Sequence, residues 1–99
     1  MRASISDNST VVVAEDQVSS TLSEEVIILN YSSGVYHGLR AVGKRVWELI
    51  EKPTTVSEVR DQLLEEYEIE PDRCTNEVLA LLHELAEAGL IRIRNEAAA

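Results

Sequence analysis

A nucleophile, a metal cluster or a pair of facing carboxylates is what chemistry would require of this chain. The residues equipped for it are few. The two histidines are His37 and His83, and neither has a Cys, His or Asp neighbour at ligand spacing. Both read as surface or groove-lining residues. Cys74 is the single cysteine. Its place near a helix N-terminus would lower its pKa, yet its expected role is that of a small apolar side chain. The four glycines are scattered at 34, 38, 43 and 89, so no phosphate-cradling loop exists. No catalytic constellation, metal site or cofactor site emerges, and the chain is expected to be a binding module, not an enzyme.

Composition supports that expectation. The sequence has 99 residues, the size of one small domain. Eighteen acidic residues against nine basic give a net charge of −9. Nucleic acid and anionic membranes both demand a positive surface, so neither is the expected partner. Twelve of the acidic residues and only three basic ones fall between Glu48 and Glu87. That stretch is either a solvated helical surface or an attractor for a basic peptide. No apolar run approaches the length of a membrane span, and Met1 to Thr10 lacks the pattern of a secretory signal. A lone cysteine suits a reducing cytoplasm.

The elements that must position any site follow from periodicity. Residues 1–9 and 94–99 read as flexible termini around one domain at 10–93. Thr10 to Ala14 is β-branched and reads as a first strand. Glu15 to Glu25 is serine-rich and polar, and reads as a loop. Val26 to Tyr31 reads as a second strand, central in a sheet. Ser32-Ser33-Gly34 signals a turn, and Val35 to Leu39 a third strand closing a hairpin. From Leu39 the period changes. Leu39, Val42, Val46, Leu49 and Ile50 recur as one helical face, ending before Pro53. Trp47 beside them is expected in the core. Thr55 and Glu58 form a capping box for a second helix carrying Val56, Val59, Leu63 and Tyr67. Pro71 and Asp72 open a third, with Asp72 a cap candidate. Val78, Leu81, Leu82 and Leu85 form its stripe, and Gly89 stops it. Leu90 to Ile93 reads as a short extended segment. The fold class is α+β and winged helix-turn-helix-like, a three-stranded antiparallel sheet followed by three helices.

A helix-turn-helix raises the possibility of a DNA-binding regulator, with the third helix as reader. Its exposed positions are expected to include Arg73, Asn76, Glu77, Glu84 and Glu87, with one permanent cation against three acids. Duplex binding needs several Lys or Arg contacts to phosphate.

The stretch VIILNYSSGVYHGLRAVGKRVWELI (Val26 to Ile50), then TVSEV (Thr55 to Val59), then VLALLHELAEAGLI (Val78 to Ile91), resembles the PqqD-like family, the RiPP recognition elements. The likeness extends over about Val11 to Ile93. Arg40 departs from the family pattern, which often has Asn or Asp there, so the start of the first helix is uncapped. The resemblance implies recognition of the leader segment of a ribosomally made precursor peptide, most like the free-standing leader-binding protein of lasso-peptide biosynthesis. A PqqD-type peptide chaperone for a radical SAM enzyme is the alternative. The implied partners are the leader, a cysteine-type leader peptidase and the cyclase.

The resemblance further implies that the leader adds as a strand to the third expected strand, in a cleft against the third helix. The edge backbone would be Val35, Tyr36, His37, Gly38 and Leu39. Family leaders typically carry a Tyr-x-x-Pro element. The pocket for it is expected from Val26, Ile28 and Val35 with Cys74, Val78 and Leu81, and the rim from Asp72, Arg73, Glu77 and Glu84. A proline at Val35 is expected to weaken binding, provided its N–H faces the leader.

Overall fold

The computed structural model describes residues 5–95. Residues 1–4 and 96–99, parts of the expected flexible termini, lie outside the described residues. The elements in chain order are β1 (Thr10–Val13), β2 (Gln17–Leu22), β3 (Glu25–Asn30), β4 (Tyr36–Arg40), α1 (Ala41–Leu49), β5 (Thr54–Thr55), α2 (Val56–Glu66), α3 (Pro71–Glu87) and β6 (Ile91–Arg94). The expected α+β architecture is present, with a three-stranded antiparallel sheet ahead of the helices. Its membership differs from the expectation. The sheet is β2-β3-β4, and β1 belongs to a second sheet ordered β5-β1-β6. The segment read as a serine-rich loop is β2, paired along its whole length with β3.

The helix ends are built as the sequence foretells, with two shifts. Thr55 accepts from the Glu58 N–H at 3.2 Å, and Glu58 accepts from the Thr55 N–H at 3.1 Å, closing the capping box of α2. This donation from the Thr55 backbone, then from its hydroxyl, pulls the Glu58 carboxyl below its ordinary pKa. Gly89, at φ +75°, ends α3. Its N–H reaches the Ala86 carbonyl and the Leu90 N–H reaches Leu85, the two bonds of a Schellman stop. The first shift is at α3, where Glu70 occupies the cap position and Pro71 follows it. Asp72 therefore sits inside the first turn, where its charge suits the helix dipole. The second is at α1, where Leu39 and Arg40 belong to β4 and Ala41 opens the helix at φ +50°. Arg40 supplies no capping side chain, as its chemistry requires.

The core lies between the helices and the inner faces of both sheets. Trp47, Ile50, Val56, Val59, Leu63, Val78, Leu82 and Leu85 are buried in it, together with Val11 of β1 and Val26 and Ile28 of β3. Trp47 is core as expected, and its indole N–H donates to Ser19 of β2 at 3.4 Å. Hydrogen bonds tie β1 to the chain just beyond α1 and α3. Val13 N–H reaches the Ile50 carbonyl and Ala14 N–H the Leu90 carbonyl. Asn30, buried at the end of β3, is a four-way clasp. Its amide donates to the carbonyls of Ala88 (3.0 Å) and Gly89 (3.5 Å), and its carbonyl accepts from the N–H groups of Ser32 (2.8 Å) and Ser33 (3.2 Å). The β3–β4 turn is thereby fastened to the end of α3.

Candidate functional site

An antiparallel ladder alternates residues that point their N–H and C=O at the neighbouring strand with residues that point them away. Two bonds fix the alternation here. Asn30 N–H donates to the Val35 carbonyl, and Tyr31 N–H donates to the Asp16 carbonyl. Even-numbered residues of β3 therefore bond toward β4, and odd-numbered ones toward β2. With Ile28 facing His37 and Val26 facing Leu39, the backbone of His37 and Leu39 is committed to β3. Tyr36 and Gly38 direct their N–H and C=O outward, and Arg40 its N–H, while the Arg40 carbonyl opens the first turn of α1. No strand among the described residues pairs with that side of β4.

Val35 is not part of this open edge. Its carbonyl is taken by Asn30, and its N–H donates to the Ser33 hydroxyl at 3.2 Å. The expected effect of a proline at Val35 therefore loses its basis, because no outward donor would be removed. The strand itself begins one residue later than the sequence suggests, at Tyr36.

Beside the edge lies a groove of about 250 Å³ between α1 and α3, lined by Val42, Gly43, Val46, Glu77, Val78 and Leu81. Gly43 is what opens it. Leu39 of β4 and Leu81 of α3 approach the space over Gly43, lying 3.6 Å and 3.8 Å from where its Cβ would stand. Any side chain larger than a methyl would fill that space. The groove adjoins the inner face of β4 through Leu39. Its outer face is different. There Tyr36 is exposed, as are Val18 and Leu22 of β2, and Ile27 and Leu29 of β3 are half-buried between them.

The structure distributes the expected site residues over three settings. Tyr36, His37, Gly38 and Leu39 form β4, and Glu77, Val78 and Leu81 line the adjacent groove. Val26, Ile28 and Cys74 stand in the core, at 3%, 0% and 1% exposure, and do not line the groove. Val78 and Val46 are themselves 2% and 0% exposed, so Leu81 and Val42 offer most of the accessible apolar surface. Asp72, Arg73 and Glu84 are exposed on α3. Arg73 pairs with Glu77 one turn on, at 3.5 Å. Val42, Gly43 and Val46 were not foreseen as site residues. The signal available was Gly43, a helix-weakening residue inside an apolar stripe, which marks close approach by another element.

Burial pushes the Cys74 thiol above its ordinary pKa, with Glu77 adding to the effect and Arg60 opposing it. With its pKa raised by burial, Cys74 lacks the character of an activated thiol. His37 carries a buried Nδ1 without a hydrogen-bond partner among the described residues. Elsewhere, Arg45 of α1 grips Glu66 of α2 with two 2.8 Å bonds, and this holds the Glu66 carboxyl below its usual range. Among the described residues no group of three or more His, Cys, Asp or Glu side chains could hold a metal ion. Among the same residues no helix is long and apolar enough to cross a membrane.

An α+β domain whose sheet ends in an unpaired strand beside an apolar interhelical groove has the features that strand addition of an extended peptide uses. Residues 25–91 match the family model described as coenzyme PQQ synthesis protein D (PqqD). The chain belongs to the PqqD family. Among solved structures it is similar to TbiB1 in complex with the TbiA(beta) leader peptide, at 30% identity and a TM-score of 0.77, over 89% of this chain and 98% of that one. A lasso peptide synthetase B1 complexed with the leader peptide shares the fold, at 20% identity and a TM-score of 0.75, over 83% of this chain and 96% of that one. No curated protein matches.

Proposed function

We propose that this chain is a non-catalytic recognition module for the leader segment of a ribosomally made precursor peptide. The leader adds antiparallel to β4, and an apolar anchor enters the groove between α1 and α3. The observation that carries this reading is the outward-facing backbone of Tyr36 and Gly38 with the Arg40 N–H, unpaired among the described residues, in a strand whose Leu39 borders that groove. The likeness to TbiB1, described in complex with a leader peptide, supports it.

The magnitudes are adequate. About four to six new hydrogen bonds contribute roughly 0.5–1.5 kcal/mol net each. One or two buried anchors add roughly 1.5–3 kcal/mol each. Ordering the peptide costs several kcal/mol. The surplus corresponds to micromolar or tighter binding. Backbone pairing is blind to sequence, so selectivity resides in the groove, where the tyrosine or proline of a Tyr-x-x-Pro element would sit, and in charged side chains at its rim.

The module itself does no bond-breaking. It holds the leader so that the attached core peptide reaches a cysteine-type leader peptidase and then a cyclase, in the cytoplasm. Tethering raises the local concentration of the segment to be cut. The family model, named for a protein of coenzyme PQQ synthesis, favours a second reading in which the receiving enzyme is of the radical SAM type. The two readings share the binding step and differ in which enzyme is stimulated. A DNA-reading role is disfavoured by α3, whose exposed positions Asp72, Arg73, Asn76, Glu77, Glu84 and Glu87 include a single cation.

The test is titration of fluorescent leader peptides carrying a Tyr-x-x-Pro element, the TbiA(beta) leader among them, against wild type and Tyr36→Pro. Tyr36 is the first residue of β4, where a strand tolerates proline. The substitution deletes one outward N–H and leaves a peptide carbonyl unpaired, about 1–3 kcal/mol or at least fivefold in affinity. Tyr36→Phe separates out the hydroxyl. Equal binding by wild type and a folded Tyr36→Pro, or no leader binding at all, would overturn the reading.

A further inference from the structure

We propose that Glu25 selects a basic side chain on the bound peptide, reaching it through a gap that Gly38 leaves in β4. This rests on the strand-addition reading above and adds a determinant of specificity to it.

Glu25, Ile27, Gly38 and Arg40 share the outer face of the sheet, because Glu25 is paired with Arg40 and Ile27 with Gly38. Glu25 does not stand over its own partner. Its side chain runs diagonally to Gly38, and Oε2 lies 2.5 Å from where a Gly38 Cβ would be, with Cδ at 3.3 Å. A carboxylate fits there only because position 38 has no side chain. Arg40 is exposed and forms no ion pair with it, and among the described residues the carboxylate has no other hydrogen-bonding partner. The charge is therefore uncommitted, half-buried, and flanked by Ile27.

Gly38 is also one of the residues whose backbone faces the open edge. A strand added there places one residue directly opposite it, and paired residues project their side chains on the same face. The Cβ of that residue lies about 4.5–5.5 Å from the Gly38 Cβ position, which Glu25 has filled with negative charge. Lysine or arginine complements it. Aspartate or glutamate is repelled, and a large apolar side chain would cover the carboxylate without pairing it. A different role for Glu25 is that of a guard charge against edge-to-edge aggregation, and the experiment separates the two.

A displayed library of randomised linear peptides is selected in parallel on wild type, Glu25→Gln, Glu25→Lys and Gly38→Ala. Wild type is expected to enrich Lys or Arg at one fixed position of the strand-forming segment. Glu25→Gln should lose that preference, and Glu25→Lys should replace it with Asp or Glu at the same position. Gly38→Ala places a Cβ against the carboxylate, displaces it, and should weaken the preference without removing a charge. The best wild-type peptide should bind Glu25→Gln roughly two- to fivefold more weakly, with the difference shrinking in high salt. Identical residue preferences on all four proteins would refute the role of Glu25 and leave strand addition standing; with increased aggregation of Glu25→Gln they would assign Glu25 as a guard. Failure to enrich any peptide that protects the Tyr36 and Gly38 amides from exchange would overturn strand addition and this inference together.

Discussion

Gly43→Ala is expected to make this protein more stable and a poorer binder. Gly43 is the third residue of α1, and an alanine there recovers about 0.5–1 kcal/mol of backbone entropy. A Cβ at this position would meet Leu39 at 3.6 and 3.7 Å and Leu81 at 3.8 Å, ordinary contact distances, so it is accommodated without strain. Burying most of a methyl group adds up to about 0.8 kcal/mol. The sum is about 1–1.5 kcal/mol, or roughly 4–12 °C in Tm for a domain of this size. The same methyl occupies the floor of the groove that is proposed to take the leader's anchor. Displacing one methylene's worth of contact costs about 0.8 kcal/mol, close to a fourfold loss of affinity. Urea denaturation and peptide titration on one protein preparation read both effects. Lower stability would contradict the packing of Leu39 and Leu81 over Gly43. Higher stability with unchanged affinity would show that the anchor lies elsewhere.

Other outcomes follow from single interactions. Asn30→Asp keeps the acceptor side of the clasp but sets a carboxylate against the Ala88 and Gly89 carbonyls, so it should lower stability by roughly 3 kcal/mol in denaturant titration; a loss under 1 kcal/mol would mean the clasp is dispensable. Ser23, at φ +58° in the tight β2–β3 turn, should gain up to about 1 kcal/mol on change to glycine, and a destabilised Ser23→Gly would argue against that turn geometry. The Glu58 carboxyl titrates below its ordinary value of 4.5 when folded, so its contribution is present above that pH and is lost as pH falls through the folded pKa. Glu58→Gln should therefore flatten the acid limb of the stability–pH curve, and an unaltered limb would remove Glu58 from the capping box. Cys74, buried with a raised pKa, should resist iodoacetamide in the native protein and react on unfolding; rapid native-state alkylation would contradict that burial.

The legible parts of the fold are those written in local chemistry. Thr55 with Glu58, Pro71 and Gly89 announce where α2 and α3 begin and end, because caps and breakers act on their own few residues. The stripes Val56-Val59-Leu63 and Val78-Leu82-Leu85 are core as read. β2 was hidden because Gln17–Leu22 is mostly exposed and rich in serine, and acquires strand structure from pairing with β3. The placement of β1 was hidden for a related reason. Val11 pairs with Ile93 far along the chain, and no local pattern records a non-local partner. Leu39 misled in a smaller way, since a strand residue facing the core falls in register with the helical spacing of Val42 and Val46.

At the site, the strand was visible but its alternation was not. Which of Val35 to Arg40 present their N–H groups outward depends on a register fixed by Asn30 and Tyr31, and a one-residue shift reverses the answer. Burial likewise separated residues that the sequence groups together. Val26, Ile28 and Cys74 share the apolar character of Leu81, yet only Leu81 reaches the groove.

The most direct measurement is amide hydrogen exchange of the free protein against the leader-bound protein, resolved by residue. The account predicts that the N–H groups of Tyr36, Gly38 and Arg40 gain protection on binding, while His37 and Leu39, already bonded to β3, change little. Protection appearing instead at Ser19 and Thr21 on the opposite edge of the sheet, or no alternation along β4 at all, would contradict it.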